Sequence, residues 1–173
     1  IRKTGHLINE EKAAMIVEKI THYKLEQRYD STIFTAEQRS AEFDKAFKSY
    51  NHKHVQDYVF TDGTAAESVE RRFAEKLEGS DEVKIYAKLP RGFQIPTPVG
   101  KYAPDWAIVF HEGAVKHIYF LAETKGTMES LKIRPIERAK IDCTKKLFDT
   151  LSNGKVRYDH VDSYDELLNI MNK

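Results

Sequence analysis

The chain has 173 residues, 40% hydrophobic and 32% charged, a balance that suits one or two soluble globular domains and excludes a disordered tail. No apolar run approaches the roughly 20 residues needed to cross a bilayer, so we expect a cytoplasmic protein without a membrane partner. The single cysteine, Cys143, excludes an internal disulfide and a cysteine-based zinc cluster.

Charge is distributed unevenly along the chain, although its formal sum is only +1. Residues 83–104 contain four basic side chains and no acid, and residues 131–158 contain eight basic side chains and three acids. These two segments therefore carry +9, whereas the remainder of the chain carries −8. This asymmetry favours a polyanion bound on one side of the molecule. The alternative is a solvated surface whose regions happen to differ.

Two helical patterns open the chain. Apolar residues recur at helical spacing over 9–28 and again over 36–50. We find no catalytic chemistry in them, so residues 1–54 are predicted to form a helical connector. The initial isoleucine, without a processing signal, indicates a piece of a longer protein. His52 and His54 follow, and two histidines without further ligands are more often surface residues than a metal site.

Beyond the connector, the pattern predicts alternating strands and helices. Four prolines and two glycines exclude a helix over 90–104. The order of elements predicts an α/β fold over residues 55–173, with a mixed central sheet flanked by helices and an N-terminal helical extension. Strands are predicted over 55–60, 83–89, 106–111, 115–123 and 155–161, and helices over 64–78, 135–152 and after a capping Ser163.

The strand predicted over 115–123 ends in charged residues. Its centre is apolar without interruption, as in a strand covered on both faces, yet Glu123 and Lys125 follow at once. Residues two apart on a strand leave the same face, so a carboxylate and an amine are expected side by side. Thr124 is expected to point the other way.

A hairpin predicted at residues 111–113 brings Asp105 towards these charges. The pairing sets Asp105 opposite about residue 121, so Asp105, Glu123 and Lys125 can converge at one edge of the sheet. Two neighbouring carboxylates repel each other unless they share a proton or a cation. Oxygen-only ligation is typical of Mg²⁺ or Mn²⁺. The alternative is an ion-pair cluster that holds no metal.

Two further charged residues border the apolar faces of the predicted helices. Glu70 lies about 55° from the centre of the apolar stripe of its helix, and Lys140 about 40° from the centre of its own. Each alone is more often a snorkelling side chain than a site residue. Their occurrence on helices that flank the same strands favours a site at that edge.

Pro104-Asp105, followed by Glu123-Thr124-Lys125, resembles the PD-(D/E)XK nuclease signature. The strings KLPRGFQIPTPVGKYAPDWAI, FLAETKG and ERAKIDCTKKLF resemble more narrowly the C-terminal endonuclease domain of the Res (restriction) subunit of type III restriction-modification enzymes. This resemblance covers about residues 55–173. It implies a restriction-endonuclease-like core, and it makes residues 1–54 the connection from an ATP-dependent helicase motor.

The resemblance implies a bacterial, site-specific deoxyribonuclease that uses Mg²⁺, with Mn²⁺ as a substitute, to cut double-stranded DNA. Asp105 and Glu123 would hold the metal, Glu70 would assist directly or through a water, and Lys125 would position the attacking water. ATP would act only through the motor region of the full-length chain. Site recognition would belong to a modification (methyltransferase) subunit.

A basic belt without a base-reading motif favours sequence-independent contacts to the DNA backbone. Lys88, Arg91 and Lys101 are its candidate phosphate contacts. The helical wheel adds Lys140, as a phosphate contact or as a partner for Glu123.

Three other functions stay open. One is the nuclease domain of another helicase-linked restriction or repair enzyme. Another is a catalytically inactive DNA-binding or assembly module with the same fold, although inactive versions usually lack one of the acids or the lysine. The last is a structural domain with an incidental ion-pair cluster.

Overall fold

The computed structural model describes residues 46–61, 68–90, 92–115, 119–124, 135–152 and 156–173. The helix predicted over 9–28 lies outside them. No helix of the described chain combines the length and apolarity needed to span a bilayer. The described elements are β1 (Ala46–Lys48), β2 (Tyr58–Phe60), α1 (Val69–Gly79), β3 (Val83–Lys88), β4 (Ile95–Thr97), β5 (Gly100–Tyr102), β6 (Trp106–Phe110), β7 (Tyr119–Thr124), α2 (Pro135–Ser152), β8 (Val156–Val161) and α3 (Tyr164–Met171).

A four-stranded sheet in the order β3-β6-β7-β8 forms the centre of the molecule. Strand β6 pairs antiparallel with both β3 and β7, whereas β7 pairs parallel with β8. The parallel pair requires a crossover, which α2 provides. This mixed sheet flanked by helices confirms the predicted fold class.

Helices cover both faces of this sheet. Along β6 alternate residues are buried, and Trp106 is fully buried in a cluster that contains Phe73 of α1 and Leu167 of α3. The intervening residue Ala107 belongs to a second cluster with Ile141 of α2. Since alternate strand residues leave opposite faces, α1 and α3 cover one face and α2 covers the other.

Helix α1 begins at a local cap. The Ser68 side chain accepts a hydrogen bond from the Arg71 backbone N–H at 3.1 Å, and Ser68 itself is extended. The helix therefore begins at Val69, later than the predicted start at residue 64, because the serine satisfies a first-turn donor. Helix α2 spans the predicted residues 135–152, and Ser163 caps α3 as predicted, accepting from the Glu166 N–H at 3.2 Å.

The segment before residue 60 differs from the prediction. Strand β1 pairs antiparallel with β2, so the last part of the helix predicted over 36–50 is wrong. Phe47 fits a helical apolar stripe, but here it lies opposite Val59, and both are buried. Cross-strand burial therefore overrides the helical spacing. The two strands lie on either side of the predicted boundary at residue 54.

His54 is buried, so the expectation of a surface histidine is wrong at this position. Its Nε2 accepts a hydrogen bond from the Lys88 backbone N–H at 3.0 Å, which leaves Nδ1 to donate to the Gln56 carbonyl at 3.0 Å. Both ring nitrogens thus have backbone partners. His54 attaches the segment between β1 and β2 to the end of β3.

Glu78, in the last turn of α1, is fully buried. Its carboxylate accepts hydrogen bonds from the Ser49 hydroxyl at 2.9 Å, the Asn51 backbone N–H at 2.6 Å and the Tyr86 hydroxyl at 2.8 Å. Several donors are what a buried carboxylate requires. This network joins the segment after β1 to α1 and β3.

The residues between β3 and β6 form a small hairpin of β4 and β5, where the sequence predicted only an irregular loop. Pro96 is tolerated because it lies on a short two-stranded sheet away from the central one. Gly100, the first residue of β5, has a φ of +119°, a backbone conformation that residues with a side chain rarely adopt.

Candidate active site

Asp105 immediately precedes β6 and is held by both neighbouring strands. Its backbone N–H donates to the Ala122 carbonyl at 3.0 Å, and its carbonyl accepts from the Leu89 N–H at 2.7 Å. The apolar alternation of β6 ends here, so the aspartate is the first polar residue at this edge of the sheet. Its backbone position is therefore fixed from two sides.

The pairing of β6 with β7 places Asp105 beside Glu123. Trp106 is the Cα partner of Ala122, so one further step along the ladder brings Asp105 next to Glu123 rather than to residue 121. The partner lies two residues from residue 121, within the one or two residues that the prediction allowed, because the turn is centred one residue later. Paired residues on antiparallel strands have Cβ atoms roughly 5 Å apart. The Glu123 side chain and all of Lys125 lie outside the described residues.

Thr124 orients the Asp105 carboxylate. Asp105 Oδ2 accepts from the Thr124 backbone N–H at 2.9 Å and from the Thr124 hydroxyl at 3.2 Å. That hydroxyl in turn accepts from the Trp106 indole N–H at 3.2 Å. A chain of hydrogen bonds thus runs from the buried indole to the acid.

From the sequence, Thr124 is expected only to face away from Glu123. The hydroxyl does lie on the side of Trp106, yet it reaches around the end of the strand to Asp105. The only sequence signal for a role of Thr124 is its position between Glu123 and Lys125. A residue at that place ends its strand and therefore lies close to the end of the paired strand. Its two donors make it part of the site.

Glu70, in the first turn of α1, forms an ion pair with Lys88 at the end of β3. Glu70 Oε1 lies 2.8 Å from Lys88 Nζ, and the two side chains are 12% and 20% exposed. The Lys88 ammonium also lies 5.8 Å from the centre of the Trp106 ring. Lys88 is the Cα partner of Trp106, so the ion pair of Glu70 and Lys88 lies at the same end of the sheet as Asp105. The predicted position of Glu70 at the border of its helix face is confirmed, and its metal role stays a prediction.

Lys140 is half-buried on α2 and lies against the β4–β5 hairpin. A Cβ atom added at Gly100 would be 3.2 Å from Lys140 Cε and 3.4 Å from Nζ, so the glycine leaves room for this side chain. Lys101, next to it on β5, is exposed. Lys140 therefore lies against the β4–β5 hairpin at Gly100, and Lys101 is the next residue of that hairpin. Arg91 is outside the described residues.

The donor set fits a hard cation. Within the described part of the chain, no group of three or more Asp, Glu, His or Cys side chains could hold a metal unaided. Asp105 supplies one oriented carboxylate, and Glu123 is the acid next to it along the ladder. Mg²⁺ commonly takes one or two protein carboxylates and keeps several waters, so this pair suits it better than a nitrogen- or sulfur-preferring metal.

His160, which has no role predicted from the sequence, lies at the end of the sheet that carries Asp105 and Glu123. It is the Cα partner of Glu123 in the parallel pairing of β7 with β8. Its Nε2 is buried and has no hydrogen-bond partner among the described residues. A histidine on the predicted strand 155–161 gave no sequence signal, because the pairing of that strand was unknown.

The fold and this edge define the class of the protein, a restriction-endonuclease-like α/β domain. A family model described as an endonuclease domain matches residues 52–164, more than half of the chain. The chain therefore belongs to this family of endonuclease domains. No curated protein and no solved structure matches the chain significantly.

Proposed function

We propose that this chain is the DNA-cleaving domain of a type III restriction enzyme, which hydrolyses phosphodiester bonds of double-stranded DNA with Mg²⁺. The endonuclease family supports the reaction class, and the resemblance of three long strings to the Res subunit supports the enzyme type. The observation that carries the proposal is the placement of Asp105, oriented by Thr124, beside Glu123.

In this proposal Asp105 and Glu123 hold the cation. A bound Mg²⁺ would supply Lewis-acid stabilisation of the phosphate and a more acidic water. Asp105 can serve without moving, because Thr124 and the two backbone hydrogen bonds already fix it. Such preorganisation lowers the cost of reaching the reactive geometry.

Lys125 is proposed to position the attacking water. In the sequence it directly follows Thr124, the last residue of β7, whose backbone N–H and hydroxyl contact Asp105. An ammonium in that place would also offset charge that develops on the phosphate.

Glu70 is proposed to complete the acidic cluster. Its ion pair with Lys88 holds it at the border of α1, at the same end of the sheet as Asp105. The lysine compensates the charge of this carboxylate.

Lys140, Lys101 and Arg91 are proposed as contacts to DNA phosphates. Lys101 is exposed, and Lys140 is half-buried beside Gly100 of the same hairpin. Contacts of this kind position the duplex without reading its sequence. Recognition of the DNA site is therefore assigned to a methyltransferase subunit, and translocation and ATP use are assigned to a motor region of the full-length chain.

Nicking of supercoiled plasmid by the 173-residue chain, with Mg²⁺ or with EDTA, tests the reaction. We expect Asp105→Asn, Glu123→Gln and Lys125→Ala each to reduce Mg²⁺-dependent nicking to background. The exposed Asp81 provides a matched control, because it precedes β3 at the end of the sheet opposite Lys88 and Asp105, and Asp81→Asn should nick as the parent does.

Binding of Mn²⁺ by calorimetry gives a second readout that does not require DNA recruitment. The parent should bind Mn²⁺, and Asp105→Asn should not. A folded parent that fails to bind Mn²⁺, or full nicking by an Asp105→Asn/Glu123→Gln double variant, would refute the proposal.

A further inference from the structure

His160 and Asp105 flank Glu123 from opposite sides. Strand β7 lies between β6 and β8 in the sheet, and Glu123 is the Cα partner of His160 on β8. On the other side, one step beyond the last pair of β6 and β7 brings Asp105 next to Glu123. The histidine is therefore at the same edge of the sheet as the two proposed metal-holding acids.

The Nε2 atom of His160 is buried without a hydrogen-bond partner among the described residues. A buried polar atom that lacks a hydrogen-bond partner destabilises the folded state, and native structures contain few such atoms. His54, also in a buried environment, shows the ordinary arrangement, in which both ring nitrogens are bonded. The partner of His160 Nε2 is therefore to be sought outside the described groups, which do not include the Glu123 side chain.

His160 is placed by the pairing of β8 with β7, which continues on both sides of it. Its N–H donates to Asp159 Oδ1 at 2.8 Å, and that oxygen lies 2.5 Å from Lys145 Nζ on α2. The next residue, Val161, is fully buried. A loosely placed strand therefore does not explain the unpartnered nitrogen.

We propose that His160 is a positioning residue for Glu123, whose carboxylate accepts a hydrogen bond from the His160 Nε2–H when it holds the divalent cation. Carboxylates that ligate metals are commonly held by hydrogen bonds from neighbouring groups, and a neutral imidazole can present its proton at this nitrogen. The inference rests on the proposed function, because it takes Glu123 as a metal-holding residue.

Mn²⁺ titration by calorimetry and thermal unfolding of the metal-free 173-residue chain test this role. In His160→Leu we expect the metal-free protein to be at least as stable as the parent, because an unpartnered polar atom has been removed. Its Mn²⁺ affinity should fall by about 10- to 100-fold. In His160→Gln, whose amide can donate from a similar place, we expect most of the affinity to remain.

His160→Asn provides a second test that does not depend on the leucine variant folding. Its amide is too short to reach the position of Nε2, so its Mn²⁺ affinity should also fall. Replacement of the exposed His111 by leucine is the matched control and should leave both readouts unchanged.

Asp105→Asn separates the two proposals. If it loses Mn²⁺ binding while folded His160→Leu or His160→Asn binds with parental affinity, the role of His160 is overturned and the nuclease site stands. If Asp105→Asn also binds as the parent does, the proposed function itself fails.

Discussion

Thr124 donates two hydrogen bonds to one carboxylate oxygen of Asp105, from its backbone N–H at 2.9 Å and from its hydroxyl at 3.2 Å. Because the Trp106 indole donates to the same hydroxyl oxygen, the single hydroxyl proton is directed to the aspartate. The strand that carries Glu123 therefore also orients the first acid of the site.

Replacement of Thr124 by valine tests how far stability depends on the hydrogen bonds of the Thr124 hydroxyl. It removes the hydroxyl, so the buried Trp106 N–H loses this acceptor and Asp105 loses one donor. We expect the free energy of unfolding to fall by about 1–3 kcal/mol, as measured by urea denaturation. Thr124→Ser keeps the hydroxyl and should retain most of the stability. Parental stability in Thr124→Val together with a loss in Thr124→Ser would show that the methyl group, and not the hydrogen bonds, matters.

The ion pair of Glu70 and Lys88 should stabilise the fold as well as the site. Both side chains are mostly buried and lie 2.8 Å apart, so Lys88→Met leaves a carboxylate with little solvent around it. We expect a loss of roughly 1.5–3 kcal/mol in unfolding free energy. A double-mutant cycle with Glu70→Gln measures the coupling, and additive effects would contradict it. Glu75→Gln, in the more exposed pair with Arg71, is the control and should change stability by less than about 1 kcal/mol.

His54 should make stability depend on pH. Burial lowers the pKa of its imidazole below the ordinary value of 6.5, and the Gln56 carbonyl only partly opposes this effect. The unfolded chain therefore takes up a proton at a higher pH than the folded chain. The contribution of His54 to the unfolding free energy should be complete above 6.5 and should decline as the pH falls from 6.5 towards the lowered pKa.

Urea denaturation between about pH 5 and pH 8 measures this dependence. His54→Gln should be less stable at all pH values and should show a smaller decline on acidification, because the titrating group is gone. His111→Gln, at an exposed position, should keep the parental pH profile. An unchanged profile in His54→Gln would exclude His54 as the source.

DNA binding should depend on the lysines beside the β4–β5 hairpin. If Lys101 and Lys140 contact phosphates, each replacement by glutamine should weaken binding to any duplex sequence and reduce the slope of log affinity against log salt by about 1. Fluorescence anisotropy at several salt concentrations measures both quantities. Lys84→Gln is the control, because Lys84 is exposed at the far end of β3, away from Asp105. An equal effect of Lys84→Gln would indicate a general charge effect.

Elements with a strong local signal were predictable from the sequence. Helix α2 has a proline in its first turn and a continuous apolar stripe, and its predicted span is confirmed. The convergence of the ends of β6 and β7 followed from their hairpin and the period-two alternation. The observed register lies two residues from the centre of the predicted range. A turn signal predicts that a hairpin is present more reliably than it predicts which residue lies at its centre.

Features set by distant partners were not predictable. Phe47 lies in a strand because Val59 pairs with it, and His54 is buried because Lys88 and Gln56 bond its ring. His160 joined the site only once β8 was known to pair with β7. Each depends on a contact between two segments that are distant in the sequence. The spacing of residues within one segment does not predict such a contact.

Helix α1 carries Glu70 near one end and Glu78 near the other, a separation of roughly 12 Å along its axis. Glu78 is bonded to the segment that follows β1, whereas Glu70 is bonded to Lys88 at the end of the sheet that carries Asp105. A helix of this length is stiff. The polypeptide at Ser49 and Asn51 is therefore joined through one rigid element to the far end of α1, where Glu70 and Lys88 meet.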